Sequence, residues 1–197
     1  LLSLGKHDIL AGTNEHFLSA LRSTVRVIQS LDTREALQYL TDTNLKGVVV
    51  ADEGISESEN SEVLSCLMGW VDAGGTAVFG CLFPAFISFK KFNPFFKKWG
   101  LPWTIGAYTR SSVVLNPWIR QSSRHSANLV ASYTMKALHL NGVKAEDILY
   151  APTKEEEEEE EEEDEYEYEY EYSSVQPRMF PPLTVSLSDG VPVAHTQ

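Results

Sequence analysis

"KGVVVADEGISESENSEVLSCLMGWVDAGGTAVFG", residues 46–80, decides how the chain is read. Val48, Val49 and Val50 form a β-branched run without polar alternation, which suits a strand buried on both faces of a parallel sheet. From Ser61 to Ala73 the apolar residues recur at helical spacing, and the run stops at Gly74-Gly75, a pair suited to a helix C-terminus. "TAVFG" then restores a strand. A strand, a helix and a second strand with short links make a parallel pair joined by a right-handed crossover.

The same alternation extends towards the start of the chain. "LLSL" (1–4), closed by Gly5, reads as a first buried strand. Thr13 or Asn14 caps a helix carrying Phe17, Leu18 and Leu21 on one face. "TVRVIQS" (24–30) alternates apolar and polar residues and reads as a second strand nearer the sheet edge. Asp32 caps a helix with Ala36, Leu37 and Leu40 together. The predicted fold is therefore α/β, a flavodoxin-like three-layer sandwich with a mainly parallel sheet, residues 1–197 forming a single domain.

Beyond Cys81 the regularity loosens. Phe83, Phe86, Phe89 and Phe92 recur every third residue, and Lys90, Lys91, Lys97 and Lys98 form two basic pairs. Pro84 suits a first helical turn, and Asn93-Pro94 is expected to end that helix and start another. "WGLPW" (99–103) reads as a rigid aromatic loop. "SSVVLNP" (111–117) and "KALHLNGV" (136–143) read as further strands, and "EDILYAP" (146–152) as a short edge strand or a turn. "FPPLTVSLSDGVPVAH" (180–195) returns to folded patterning, with Asp189-Gly190 marking a hairpin turn.

The net charge of −12 is local, since 14 of the 28 acidic residues lie between Glu155 and Glu171. The remainder is near neutral, with 14 acids against 16 Lys and Arg. The Glu/Tyr run cannot supply a core, so residues 154–174 are expected to be a disordered acidic insertion within the domain. It could attract a basic protein partner or lie across the basic pairs. Nucleic acid is not an expected partner, because the folded part is almost uncharged and the insertion repels phosphate. No apolar run approaches the ~20 residues of a transmembrane helix. Two cysteines without a disulfide framework, and no leader pattern at "LLSLGKHD", point to a cytoplasmic or nuclear protein rather than a secreted one. The first and last residues read as the ends of a fragment of a longer chain. The aromatics beside the basic pairs are expected to pack on the sheet while the lysines meet water. Docking to a membrane surface is the competing possibility.

Residues 46–80 resemble the central part of class I glutamine amidotransferase-like domains, and more closely their trehalose-utilisation-like (ThuA-like) branch. The matching residues are Asp52 and Glu53 after the strand, then Trp70, Val71, Gly74 and Gly75 at the turn. "LLSLGKHD" is similar to the first strand of that fold and "VPVAH" to one of its late strands. Taken whole, the chain resembles a group of fungal proteins built on this fold. The resemblance implies a site at the carboxyl ends of the strands and, in catalytic members, a cysteine paired with a His and a Glu two residues apart on a late segment.

Cys81 stands where such a cysteine belongs, and a following helix would favour its thiolate. Its neighbours argue against it. A nucleophile elbow tolerates its strained backbone because small residues flank the nucleophile two positions away, whereas here Phe79 and Phe83 stand there. "AHTQ" offers His195 with Gln197, and glutamine cannot be the anionic orienter of a histidine. Cysteine also packs well as a small hydrophobe. The leading expectation is thus a domain without a complete catalytic triad, serving as a ligand-binding or scaffold module. Its ligand would be small and polar, held at the strand ends by Lys6, Asp8, Asp52 and Glu53 beside His7 and Cys81. The first alternative is a cysteine-dependent hydrolase or amidase with Cys81 as nucleophile and His7 or His195 as base. The second is an interaction protein acting through its Glu/Tyr segment. The histidines His7, His16, His125, His139 and His195 form no close pair, and there is no phosphate loop, so neither metal nor cofactor is expected. His16 and His139 are read as surface or satisfied core residues, and Asp52, Glu53, Ser56 and Ser58 as candidate caps for the next helix.

Overall fold

The structure, a computed structural model, describes residues 1–117 and 129–152, together with the backbones of strands 183–188 and 191–196. Leu2 is the hub of the parallel part, bridging Ser30 on one side and Val50 on the other. Its N–H donates to Val49 O at 2.8 Å, and its carbonyl accepts from Ala51 N–H at 2.8 Å. Helices α1 (Leu10–Thr13), α2 (Glu15–Thr24) and α3 (Thr33–Leu40) follow. Asp32 caps α3 as its sequence predicts, accepting from Glu35 N–H at 2.9 Å.

Strand β1 (Val48–Val50) leads through α4 (Ser61–Asp72) to β2 (Ala77–Phe79), which pairs parallel to it with Val49 beside Val78. Val63, Leu64, Leu67 and Val71 turn one stripe of α4 into the core. The two glycines that end α4 have separate tasks. Gly74 takes φ +97°, a left-handed conformation that disfavours side chains. Gly75 packs so closely that a Cβ there would lie 2.4 Å from the Trp70 ring. Three of the resemblance's matching residues are therefore one packed turn.

"TVRVIQS" differs from its predicted strand. α2 runs to Thr24 and absorbs its first residue, and only Ser30 bridges a neighbour. The lateral order is Ser30, Leu2, β1, β2. Next to β2 comes β6 (Leu183–Ser188), antiparallel to it, and then β7 (Val191–Thr196), antiparallel to β6 with Ser188 beside Val191. The predicted hairpin is present, while its turn residues 189–190 lie outside the described residues. So does the acidic insertion expected at 154–174.

Helix α5 (Phe83–Phe86) follows β2, and α6 (Phe89–Lys98) runs straight through Pro94. Asn93-Pro94 therefore neither ends nor starts a helix. A proline removes the bond to the carbonyl four residues earlier. Here that residue is Lys90, which is exposed, and Phe92, Phe95 and Phe96 clamp the helix to the core on both sides of Pro94. Asn93 faces outward and accepts from Ile105 N–H at 3.2 Å.

A second sheet is antiparallel throughout. β3 (Thr104–Leu115) pairs with β4 (Ser132–Asn141) and with β5 (Tyr150–Pro152), which makes "EDILYAP" an edge strand preceded by a helical turn at 145–147. It joins the main core through buried Trp103, whose ring lies 5.3 Å from that of Phe96. The class is mixed α/β, with parallel pairing among the described residues confined to Leu2, Ser30, β1 and β2. The sheet expected to be mainly parallel is thus only partly so, since the late strands run antiparallel to it or form a sheet of their own.

Candidate functional site

The carboxyl ends of the Leu2 strand, β1 and β2 form one rim. Asp52 holds it together. Its side chain is 1% exposed and accepts from Ser3 Oγ at 2.6 Å, Gly5 N–H at 2.8 Å and Gly54 N–H at 3.1 Å. These three hydrogen bonds offset the cost of burying the side chain. Asp52 caps the helical turn Glu53–Ser56, while Ser56 and Ser58 do not cap α4, whose N-cap is Asn60. The Asn60 amide instead donates to Gly54 O at 2.8 Å and accepts from Thr33 Oγ1 at 2.9 Å. Asp52 is thus an internal tie rather than an exposed ligand.

The accessible polar pair on the rim is His7 with Glu53. His7 Nε2 lies 2.9 and 3.0 Å from the two Glu53 carboxylate oxygens, with side-chain exposures of 25% and 20%. The imidazole also rests against Phe86, ring centres 4.6 Å apart. Lys6 and Asp8 flank His7 and are exposed, Lys6 in the left-handed region at φ 56°. Of the predicted site residues, the structure brings His7, Glu53 and Asp52 together at one loop and leaves Lys6 and Asp8 at its surface.

Cys81 is held differently. It takes φ 55°, left-handed for a residue with a side chain, at a turn between β2 and α5. A strand–turn–helix elbow therefore exists in the backbone. The steric obstacle expected from Phe79 and Phe83 is resolved because the kink sends both rings into the main core, where they pack at a tilt with ring centres 5.0 Å apart. The thiol goes elsewhere, into a small cluster with Leu10, Ala51 and Leu82, and is 4% exposed. Burial, and then the nearby Asp52 carboxylate, push it up to about 11. The N–H that would receive a developing oxyanion is that of the next residue. Leu82 N–H donates instead to Ala51 O at 2.8 Å. Neither nitrogen of His7 hydrogen-bonds Cys81 among the described residues.

No family model, curated protein or solved structure matches this chain. The site thus stands on its own geometry. His195 lies in β7, its backbone paired with Thr184, at the same end of the sheet as Gly80 and two strand spacings, about 10 Å, from β2. Gln197, His125 and the Glu/Tyr segment lie outside the described residues. Among those described, no group of three or more His, Cys, Asp or Glu is placed to hold a metal ion, and no helix is long and apolar enough to cross a membrane.

Two contacts have no local signal in the sequence. Ser111 Oγ lies 2.8 Å from His139 Nε2 across the β3–β4 pair, which satisfies a buried hydroxyl and gives His139 a structural partner. Lys91 pairs with Glu57, both well exposed, so the pair contributes about 1 kcal/mol at most. Phe92, Phe95 and Phe96 are buried as expected, with Phe89 left in solvent.

Proposed function

We propose that this chain is a class I amidotransferase-like domain of the trehalose-utilisation-like branch. It binds a small polar ligand at the His7–Glu53 edge of the rim and does not use Cys81 as a nucleophile. The lateral order supports the flavodoxin-like part of this reading. Numbered along the chain, Ser30, Leu2, β1 and β2 run 2-1-3-4, the order that opens a flavodoxin-like sheet. The antiparallel β6 in fifth place is a departure from it.

The observation that carries the non-catalytic reading is the state of Cys81. A buried thiol pushed up to about 11 stays protonated at neutral pH, and its would-be oxyanion donor is already bonded to Ala51. Alkylation with iodoacetamide tests this, using exposed Cys66 as an internal reference in the same molecule. Cys66 should label with ordinary thiol pH dependence while Cys81 labels only on unfolding or at strongly alkaline pH. Rapid labelling of native Cys81 below about pH 8 would replace the proposal with a cysteine-dependent hydrolase or amidase, the alternative favoured by the left-handed backbone at Cys81.

The same thiol has a consequence for stability. Between its ordinary value of 9.0 and about 11, the unfolded chain has released the Cys81 proton and the folded chain keeps it. The unfolded state then binds fewer protons, so stability falls as pH rises through that window. Denaturation midpoints measured across it should decline for the wild type and decline less for Cys81→Ala. Parallel profiles would show that the thiol is not held in its protonated form.

A further inference from the structure

The outer edge of the parallel sheet is formed by residues 25–31. Three large apolar side chains are left in solvent along it, Val25 at 48%, Ile28 at 37% and Leu31 at 45% exposure. Its backbone polarity alternates. Ser30 N–H donates to Leu1 O at 2.9 Å, Ser30 O accepts from Ser3 N–H at 3.0 Å, and Ile28 O accepts from the Leu1 nitrogen at 2.7 Å. Residues 28 and 30 thus turn their backbone groups inward. Those of Val27 and Gln29 point away from the sheet, and no described residue takes them. An open row of this kind is a template for another strand, and "VRVIQ" (25–29) carries neither proline nor lysine, Arg26 being its one charge.

We propose that this edge pairs with the same edge of a second copy, antiparallel about a two-fold axis at Ile28. The proposal is independent of what the rim binds. In an antiparallel ladder, outward-facing residues exchange both backbone bonds, so Val27 pairs with Gln29 of the second copy and symmetry repeats the pair. That register sets Ile28 against Ile28 and Val25 against Leu31. It sets Arg26 against Ser30, and diagonal to Asp32 of the second copy. Apolar side chains meet each other, and the one charge on the strand meets an opposite one. Other symmetric registers do less. An axis at Arg26 opposes arginine with itself, and one at Val27 sets Ile28 against Arg26 and Val25 against Gln29. An axis at Gln29 opposes Arg26 with Asp32 but leaves Ile28 against Ser30 and Val25 against Thr33, and one at Ser30 sets Ile28 against Asp32. Only the Ile28 axis pairs all three exposed apolar side chains with one another, and that self-complementarity singles out a second copy over an unrelated strand.

Sedimentation of the full chain from micromolar to submillimolar concentration tests this. The wild type should pass from monomer to dimer. Ile28→Lys opposes two cations across the axis and should weaken the dimer about a hundredfold, with the thermal midpoint of the monomer unchanged. Mixing Ile28→Lys with Ile28→Glu should restore a dimer containing one of each. Gln29→Pro, which removes an outward N–H the fold does not use, is a second variant that should be monomeric. A wild type that stays monomeric throughout, an Ile28→Lys dimer as tight as wild type, or folded Lys and Glu variants that do not recombine would overturn the proposal.

Discussion

Replacing Asp52 with alanine is expected to destabilise the protein by about 3 to 5 kcal/mol. The carboxylate is the acceptor for Ser3 Oγ, Gly5 N–H and Gly54 N–H, and its removal leaves a buried main-chain donor at Gly54 and a part-buried one at Gly5 without a partner. Both donors belong to the loop and the helical turn that Asp52 joins, so losing the carboxylate also unties those two segments. Asp52→Asn is the informative companion. Its carbonyl oxygen can still accept both N–H groups, and the Ser3 hydroxyl can rotate to accept from the new amide. The loss should shrink to about 1 kcal/mol. Chemical denaturation of the three proteins checks the pattern. An alanine variant as stable as wild type would mean that Asp52 is free to serve a ligand instead.

Gly54→Ala should be the second severe change. A Cβ at Gly54 would lie 2.3 Å from the Gly5 nitrogen and 2.5 Å from the Leu4 carbonyl carbon. Both are main-chain atoms of the neighbouring loop, so no side-chain rotation relieves the overlap. The loop must move, and the Asp52 bonds to Gly5 and Gly54 move with it. A loss of about 3 kcal/mol or more is expected. Gly69→Ala is the control. Gly69 is an exposed position within α4, and a Cβ there meets nothing within 4 Å. Alanine's helix preference should there raise stability by about 0.5 to 1 kcal/mol. Equal and small effects at both glycines would show that the loop and the turn do not approach as closely as described.

The central β-α-β unit is legible in the sequence because its signals are local. Val48–Val50, the α4 stripe and Gly74-Gly75 each declare themselves within a few residues, and Asp32 caps α3 where its spacing predicts. Edges are less legible. Alternation in "TVRVIQS" describes which side chains prefer solvent, not whether a neighbouring strand exists on both sides, and only Ser30 finds one. Pro94 reads as a helix end because its cost is local, whereas the anchoring of Phe92, Phe95 and Phe96 that outweighs the cost is tertiary. At the rim, the strand ends group His7, Asp52, Glu53 and Cys81, but nothing local says what each of them contacts. Ser3 is the one polar residue in "LLSL", and that is the only trace in the sequence of a buried acceptor opposite it. His7 and Glu53 are 46 residues apart, and nothing in either loop announces the other. At Cys81, the assumption that Phe79 and Phe83 would collide failed because a left-handed residue between them changes the direction in which the second ring leaves the chain.

The chain of packed rings linking β2 to the antiparallel sheet also governs how the molecule comes apart. Phe79, Phe83, Phe95, Phe96 and Trp103 touch in sequence, ring on ring, from the middle of one sheet to the root of the other. A hinge could not form along that line without wetting several large aromatic faces at once. Both sheets should therefore melt in a single calorimetric event. A truncation at Gly100 would leave Phe96 uncapped, and the shortened protein should clump rather than persist as a smaller soluble unit.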